Sequence, residues 1–269
     1  MATDPDTYTH GHHDAVLRAH RWRTAENSAA YLLPHLRPGM RLLDIGCGPG
    51  TLTADLAARV APGETLGIDI APGVVAEARE HARREGAVNA TFRVGDFRAA
   101  GLPEGGFDVV HAHQVLQHLR EPVDALSRMR RLLRPGGVVA ARDGDYSAMS
   151  WWPADERLAR WREIYLAVTR HNGAEADAGR RLLSWAGGAG FSNVAYSTST
   201  WTFAAAADRR WWSELWAERT TASELGRQAV EYELATAMEL EDIASGWRAW
   251  GATRDAVFIV VCGEILARG

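Results

Sequence analysis

Lysine is missing altogether: the 269 residues include 30 side chains of the Lys and Arg type, and every one is arginine. Schiff-base lysine chemistry and the lysine of a phosphate-binding P-loop are therefore excluded. Cysteine is nearly absent, and Cys47 with Cys262 cannot build a disulfide framework or a metal cluster. No apolar run approaches ~18 residues, and no basic stretch followed by an apolar one opens the chain. Neither a membrane span nor a signal peptide is expected. The opening from Met1 to Asp14 is polar and His-rich, and a cytoplasmic location is expected. Excess positive charge is lacking too, with a net charge of −4 and a pI of about 6.2. Nucleic acid and anionic membrane are thus not expected partners. The one basic cluster, Arg128, Arg130, Arg131 and Arg134, shares a helical stretch with Leu126, Met129, Leu132 and Leu133, and reads as a solvated helix face.

The chain otherwise has the composition of an ordinary globular protein, 46% hydrophobic and 24% charged, and is long enough to bury a large core. Short β-branched runs alternate with helical stretches through the first half, the pattern of βαβ units around a parallel sheet. Strands are predicted at Arg41 to Ile45, Thr65 to Ile70, Ala90 to Val94, Phe107 to His111 and Gly137 to Ala141. The helix from Val74 to Glu85 should end at Gly86. Beyond residue 150 the character changes, and ten of the 11 tryptophans lie there. Helices are predicted over Ala154 to Thr169 and Glu175 to Ala186, with strands at Asn193 to Phe203 and Ala256 to Cys262. Ala204 to Arg254 look helical throughout. They read as an insertion, because the last strand must return to the sheet. A single domain is expected, with an N-terminal helical segment (1–36), a core (37–203 and 255–269) and a helical cap (204–254).

The most informative stretch is Leu42-Leu-Asp-Ile-Gly-Cys-Gly-Pro-Gly50. A strand ends near Asp44, three glycines allow a tight turn and close approach of a ligand, and a helix begins near Thr51. A dinucleotide fingerprint would place Gly or Ala at position 51. The carboxylate of Asp44 in the mouth of the loop would repel pyrophosphate and attract an ammonium or sulfonium. Asp69, closing the second strand, can accept hydrogen bonds from both hydroxyls of a ribose. Gly95-Asp96-Phe97, after the third strand, offers a carboxylate and an aromatic face to an adenine. Three consecutive strand ends thus present acids on the edge where open α/β sheets bind ligands.

These residues, with Gly67-Ile-Asp69, Phe107-Asp-Val-Val-His111 and Leu133-Arg-Pro-Gly-Gly137, resemble the ordered motifs of class I S-adenosylmethionine-dependent methyltransferases. Gln114-Val-Leu-Gln-His-Leu119 makes the resemblance closest to the ubiquinone/menaquinone-biosynthesis type. It covers about residues 37 to 143. It implies a doubly wound α/β fold with a seven-stranded sheet of order 3-2-1-4-5-7-6, the last strand antiparallel. It also implies S-adenosyl-L-methionine as cofactor. Gly46, Cys47 and Gly48 would pack under the methionine part, with Asp44 near its amino group and His111 touching that end through its backbone. Asp69 would hold the ribose beside Ile70. Asp96 would accept from the adenine amino group, and Phe97 would donate its N–H to the ring. Gly95 and Gln114 complete the implied cofactor residues. Beyond residue 145 no motif identifies the acceptor.

A sulfonium methyl is already electrophilic, so the protein chiefly aligns the reactants, with a general base where the acceptor must lose a proton. His113 is the first candidate, after the fourth strand. His10, in the leading segment, and Tyr146, after the fifth strand, follow it. The tryptophan-rich second half suggests a roomy pocket for an apolar or aromatic small-molecule acceptor. No metal site is expected, and a homodimer stays open. The same motifs would serve an enzyme that retains its S-adenosylmethionine and catalyses a rearrangement or cyclisation.

Overall fold

The computed structural model describes Thr9, Gly11 and residues 13–268. Among the described residues, two α-helices precede the sheet, α1 (Asp14–Arg21) and α2 (Ala25–Ser28). In α1, Asp14 lies in the first turn and Arg18, His20 and Arg21 in the last, the order that suits the helix dipole. A capping box between Thr24 and Asn27 holds the short α2.

Strand and helix then alternate: β1 (Leu42–Ile45), α3 (Thr51–Val60), β2 (Thr65–Asp69), α4 (Pro72–Glu85), β3 (Ala90–Val94), β4 (Phe107–His113), α5 (Pro122–Leu132) and β5 (Leu133–Gly144). Proline opens α4, where its missing N–H costs nothing, and Gly86 ends it at φ 67°. β1 and β4 are buried along their whole length, as central strands covered on both faces must be. The second half comprises β6 (Ser150–Trp152), α6 (Glu156–His171), α7 (Ala178–Gly188), β7 (Asn193–Phe203), α8 (Ala206–Ala222), α9 (Glu224–Glu231), α10 (Ala237–Ala252) and β8 (Val257–Arg268).

The sheet runs β3-β2-β1-β4-β5-β8 with β7 at the outer edge, and β8 is antiparallel to β5. The predicted order is thus found, with β8 as its seventh strand. Residues 262–268 of β8 pair with β5, and residues 257–259 pair with β6, which was not predicted. β4, β5 and β8 all run further than predicted. Polar side chains lie inside the lengthened strands, among them a buried ion pair. Arg142 and Glu264 face each other in register, with Arg142 Nε 3.2 Å from Glu264 Oε1.

β7 and β8 project past the carboxyl ends of the parallel strands, and α8, α9 and α10 sit on that projection with α6. The tryptophans behave differently from expectation. Trp161, Trp216, Trp247 and Trp250 are essentially inaccessible; Trp161 meets Trp216 and Trp247 edge to face, Trp216 stacks on Trp247, and Trp250 meets Phe258 edge to face. Large rings at helical spacing therefore fill this layer with one another and leave little open volume. Among the described residues no helix is long and apolar enough to cross a membrane.

Candidate active site

The carboxyl ends of β1, β2, β3 and β4 open onto one cavity of about 330 Å³. The glycine loop after β1 forms its floor. Gly48 and Gly50 hold φ values of 55° and 83°, where glycine is favoured. A Cβ on Gly50 would lie 2.8 Å from Ala78 Cβ, so that glycine lets α3 approach α4. A Cβ on Gly48 would meet nothing nearer than His20 Nδ1 at 3.7 Å, and would occupy the cavity. One glycine serves packing and the other serves a ligand.

The acids at the strand ends are held by the protein first. Asp44 is 2% exposed. One of its oxygens takes the Thr53 hydroxyl, and the other lies 2.7 Å from His111 Nδ1. Asp69 accepts the Gly48 N–H at 3.1 Å and the Ala71 N–H at 3.0 Å. The last residue of β2 thereby shapes the loop after β1. A carboxylate offers about four acceptor positions, so Asp69 keeps two. Asp96 accepts a fork from Arg98, with Nη2 at 2.8 Å. Burial pulls the Asp96 carboxyl upward, but hydrogen bonds and charge from Arg98 outweigh it and leave it below the usual carboxylate value. Burial also drives the Cys47 thiol far above its ordinary value, so it stays protonated and poorly nucleophilic.

Of the residues implied for the cofactor, Asp44, Gly46, Cys47, Gly48, Asp69, Ile70, Gly95, Asp96, Phe97 and Gln114 line this one cavity. His111 stands behind them, fully buried, with its ring turned to Asp44. Ile70 is 62% exposed, an apolar side chain left open beside the cavity.

His113 is the last residue of β4, is 4% exposed and lines the cavity. Among the described residues neither of its ring nitrogens has a hydrogen-bond partner. Burial first, then the charges of Arg23 and Arg142, hold its pKa well below the usual histidine value, so the imidazole is neutral. Gln114 follows at φ 53°, a left-handed conformation rare for a residue with a side chain. Its N–H donates to the Arg142 carbonyl at 2.7 Å, and its side-chain oxygen accepts from Arg23. From there the chain continues along the cavity wall through Val115 to His118, whose pKa burial and Arg23 lower to about 3.

A second chamber of about 30 Å³ adjoins the first and shares His20, Arg23, Gln114 and His118 with it. Trp201, Trp212, Trp216, Tyr146 and Arg219 are among its other walls. Tyr146 belongs here and does not line the larger cavity. Its ring stacks on Tyr165 at 3.9 Å, and burial raises its hydroxyl pKa. The candidate His10 lies outside the described residues. α1 roofs the larger cavity with Leu17 and His20. Arg18 ties α1 to Glu218 of α8, and Arg21 ties it to Glu77 of α4.

Sequence reasoning missed His20, Arg23 and Arg219. The available signal was Trp22, the sole tryptophan of the first half, set between two arginines.

A sheet of this order, with carboxylates at three strand ends around a glycine loop, defines the methyltransferase class of α/β protein. Known proteins agree. The methyltransferase-domain family matches residues 36–189. An uncharacterized methyltransferase of Schizosaccharomyces pombe is 31% identical over 98% of this chain and 97% of its own. The chain belongs to the S-adenosylmethionine-dependent methyltransferases. Among solved structures, the phosphoethanolamine N-methyltransferase 2 of Haemonchus contortus superposes with a TM-score of 0.58 at 19% identity, over 95% of this chain. This chain spans 57% of that longer one. The [4+2]-cyclase SpnF superposes with a TM-score of 0.53 at 22% identity, over 95% of this chain and 80% of its own. At these identities the likeness is one of fold.

Proposed function

We propose that this enzyme methylates a small aromatic or apolar metabolite seated between α1 and the 204–254 cap, with His113 as the acceptor's hydrogen-bond partner and proton acceptor. The observation that carries the reading is His113 itself, a buried imidazole with two unpartnered nitrogens on the wall of the cavity.

The residues present fit S-adenosylmethionine. Asp44 and Asp69 are carboxylates suited to an amino group and to ribose hydroxyls, and the absent Cβ of Gly48 leaves room beside them. When bound, the cofactor supplies an electrophilic methyl on a sulfonium, transferred by in-line displacement. The protein's own part is to orient and to exclude water. Leu17 and His20 of α1 and Gln114 wall the cavity, and the neutral His113 ring can accept a hydrogen bond from an O–H or N–H. Its low basicity suits a proton that becomes acidic only as the new bond forms. Tyr146, stacked on Tyr165, forms part of the acceptor's wall.

The ubiquinone/menaquinone-type placement within the family rests on Gln114 to Leu119 and concerns the cofactor half. Fold alone does not discriminate methyl transfer from a methyl-retaining reaction, since SpnF shares it. Incubation with methyl-labelled S-adenosylmethionine and a panel of hydroxylated aromatic compounds tests the reading by mass spectrometry. Label in the product is expected. A converted product without label would overturn methyl transfer in favour of rearrangement or cyclisation.

A further inference from the structure

Of the two histidines in β4, only one is pinned by a hydrogen bond. His111 and His113 stand two residues apart and point to the same side of the sheet. A hydrogen bond to one ring nitrogen of a histidine decides which nitrogen carries the proton. Asp44 does this for His111 at Nδ1. His113 has no such partner among the described residues, so no hydrogen bond fixes its tautomer or the plane of its ring.

Packing takes that place, and Trp201 of β7 supplies it. Its ring lies 5.8 Å from the His113 ring, centroid to centroid, at an interplanar angle of 56°. Trp201 is itself held by several neighbours. Its indole N–H donates to the Asn27 carbonyl at 2.6 Å, and Trp22 meets it edge to face at 5.2 Å. The Arg142 guanidinium lies 4.6 Å from the ring.

Arg142 is the neighbour of His113 in register across β4 and β5, and Glu264 and Ser197 continue that row across β8 and β7. Its Nε donates to the Ser199 hydroxyl at 2.9 Å and to Glu264, which also takes the Ser197 hydroxyl at 2.8 Å. Nη1 and Nη2 are buried without a hydrogen-bond partner among the described residues. The Trp201 ring therefore stands in for solvent around that end of the cation. One ring thus rests on a buried ion pair and bears on the imidazole. Trp201 lines the smaller chamber and His113 the larger, so their contact spans the boundary between the two.

We propose that Trp201 is the positioning residue for His113, fixing the imidazole by ring contact so that both its nitrogens stay uncommitted until the acceptor arrives. The inference rests on the reading of His113 as the acceptor's partner. The acceptor's proton then goes to a ring lone pair that no protein donor occupies.

The test uses the full chain with its histidine rings labelled with heavy nitrogen, saturated with S-adenosylhomocysteine, and reads the ring nitrogens by NMR. In the wild-type protein His111 is expected to show one protonated and one bare nitrogen, and His113 two nitrogens averaged between the tautomers. A His113 ring held in a single tautomer would overturn the proposal without any variant. The groups whose charge bears on His113 are His20 of α1, Arg23 after it, His111 on its own strand and Arg142 on β5, and a substitution at Trp201 leaves all four in place. Trp201→Leu removes the ring and admits water, so His113 should begin to titrate between about pH 5 and 7. Trp201→Phe should keep it neutral throughout that range, with the His111 signals unchanged in both variants. A folded Trp201→Leu protein whose His113 signals match the wild type would overturn the proposal, as would a Trp201→Phe protein that behaves like it. The reading of His113 as the acceptor's partner fails separately, through full turnover by His113→Ala, and that failure leaves these spectra untouched.

Discussion

Replacing Gly48 with alanine separates binding from folding. The added methyl group would meet nothing closer than 3.7 Å, so steric clash within the protein is negligible. What remains is the conformation. At φ 55° a side chain costs about 1–2 kcal/mol relative to glycine. For a chain of 269 residues, that lowers Tm by roughly 2–8 °C at most. The cavity is affected much more, because the methyl group would enter the space proposed for the cofactor. A loss of about 100-fold in S-adenosylhomocysteine affinity is expected, equivalent to about 2.7 kcal/mol. Gly50→Ala provides the contrast, since its Cβ would lie 2.8 Å from Ala78 Cβ and 2.9 Å from Ala78 Cα. That variant should lose stability before it loses affinity. Thermal unfolding without ligand, paired with calorimetric titration of S-adenosylhomocysteine, measures both quantities. A Gly48→Ala protein that binds with wild-type affinity would refute the close-approach argument.

Asp69→Ala should weaken S-adenosylhomocysteine binding by about tenfold or more, through lost ligand bonds and through release of the Gly48 N–H; calorimetry on a folded variant showing no change would remove Asp69 from the ribose site. His113→Ala should lower kcat by about 100-fold or more where proton transfer limits turnover, with cofactor affinity nearly unchanged. Because the His113 pKa lies well below the usual value, wild-type kcat should show no His113 inflection between about pH 6 and 8; a step near 6.5 that vanishes in His113→Gln would contradict its burial. Asp143 is fully buried, and burial raises its carboxyl from 3.8 to about 7. The folded protein then keeps a proton that the unfolded chain releases, so this group's contribution is complete below about pH 4 and is lost as pH rises through 7. The loss amounts to at most about 4 kcal/mol. Asp143→Asn keeps an acceptor for the Gln117 N–H and should flatten that slope; denaturant titrations at about pH 5 and 8 giving an unchanged slope would count against it.

The cofactor side was legible because its chemistry is local. Glycines that need a left-handed backbone and acids at strand ends announce themselves within a few residues, as from Asp44 to Gly50. Strand limits were harder to place. His113, Arg142 and Glu264 look like turn residues, yet they lie within strands because partners from distant segments neutralise or bury them. The second chamber was illegible for a related reason. Arg219 bonds to the Val16 carbonyl across 203 positions, and no pattern within either helix foretells that meeting. The tryptophans misled because their spacing reports burial without saying whether rings enclose space or fill it.

The placement of β8 has a consequence for how the molecule is made. Residues 257–268 lie inside the sheet, between β5 and β7, and not at its edge. β1 to β5 form neighbouring pairs from the first 144 residues and can assemble while the ribosome is still working. β7 and the helices after it have no sheet partner until β8 has been synthesised. At roughly 5–20 residues per second, the nascent chain spends several seconds with that aromatic layer unanchored. Chaperone demand during synthesis should therefore concentrate on the interval between the emergence of Trp151 and that of Arg268.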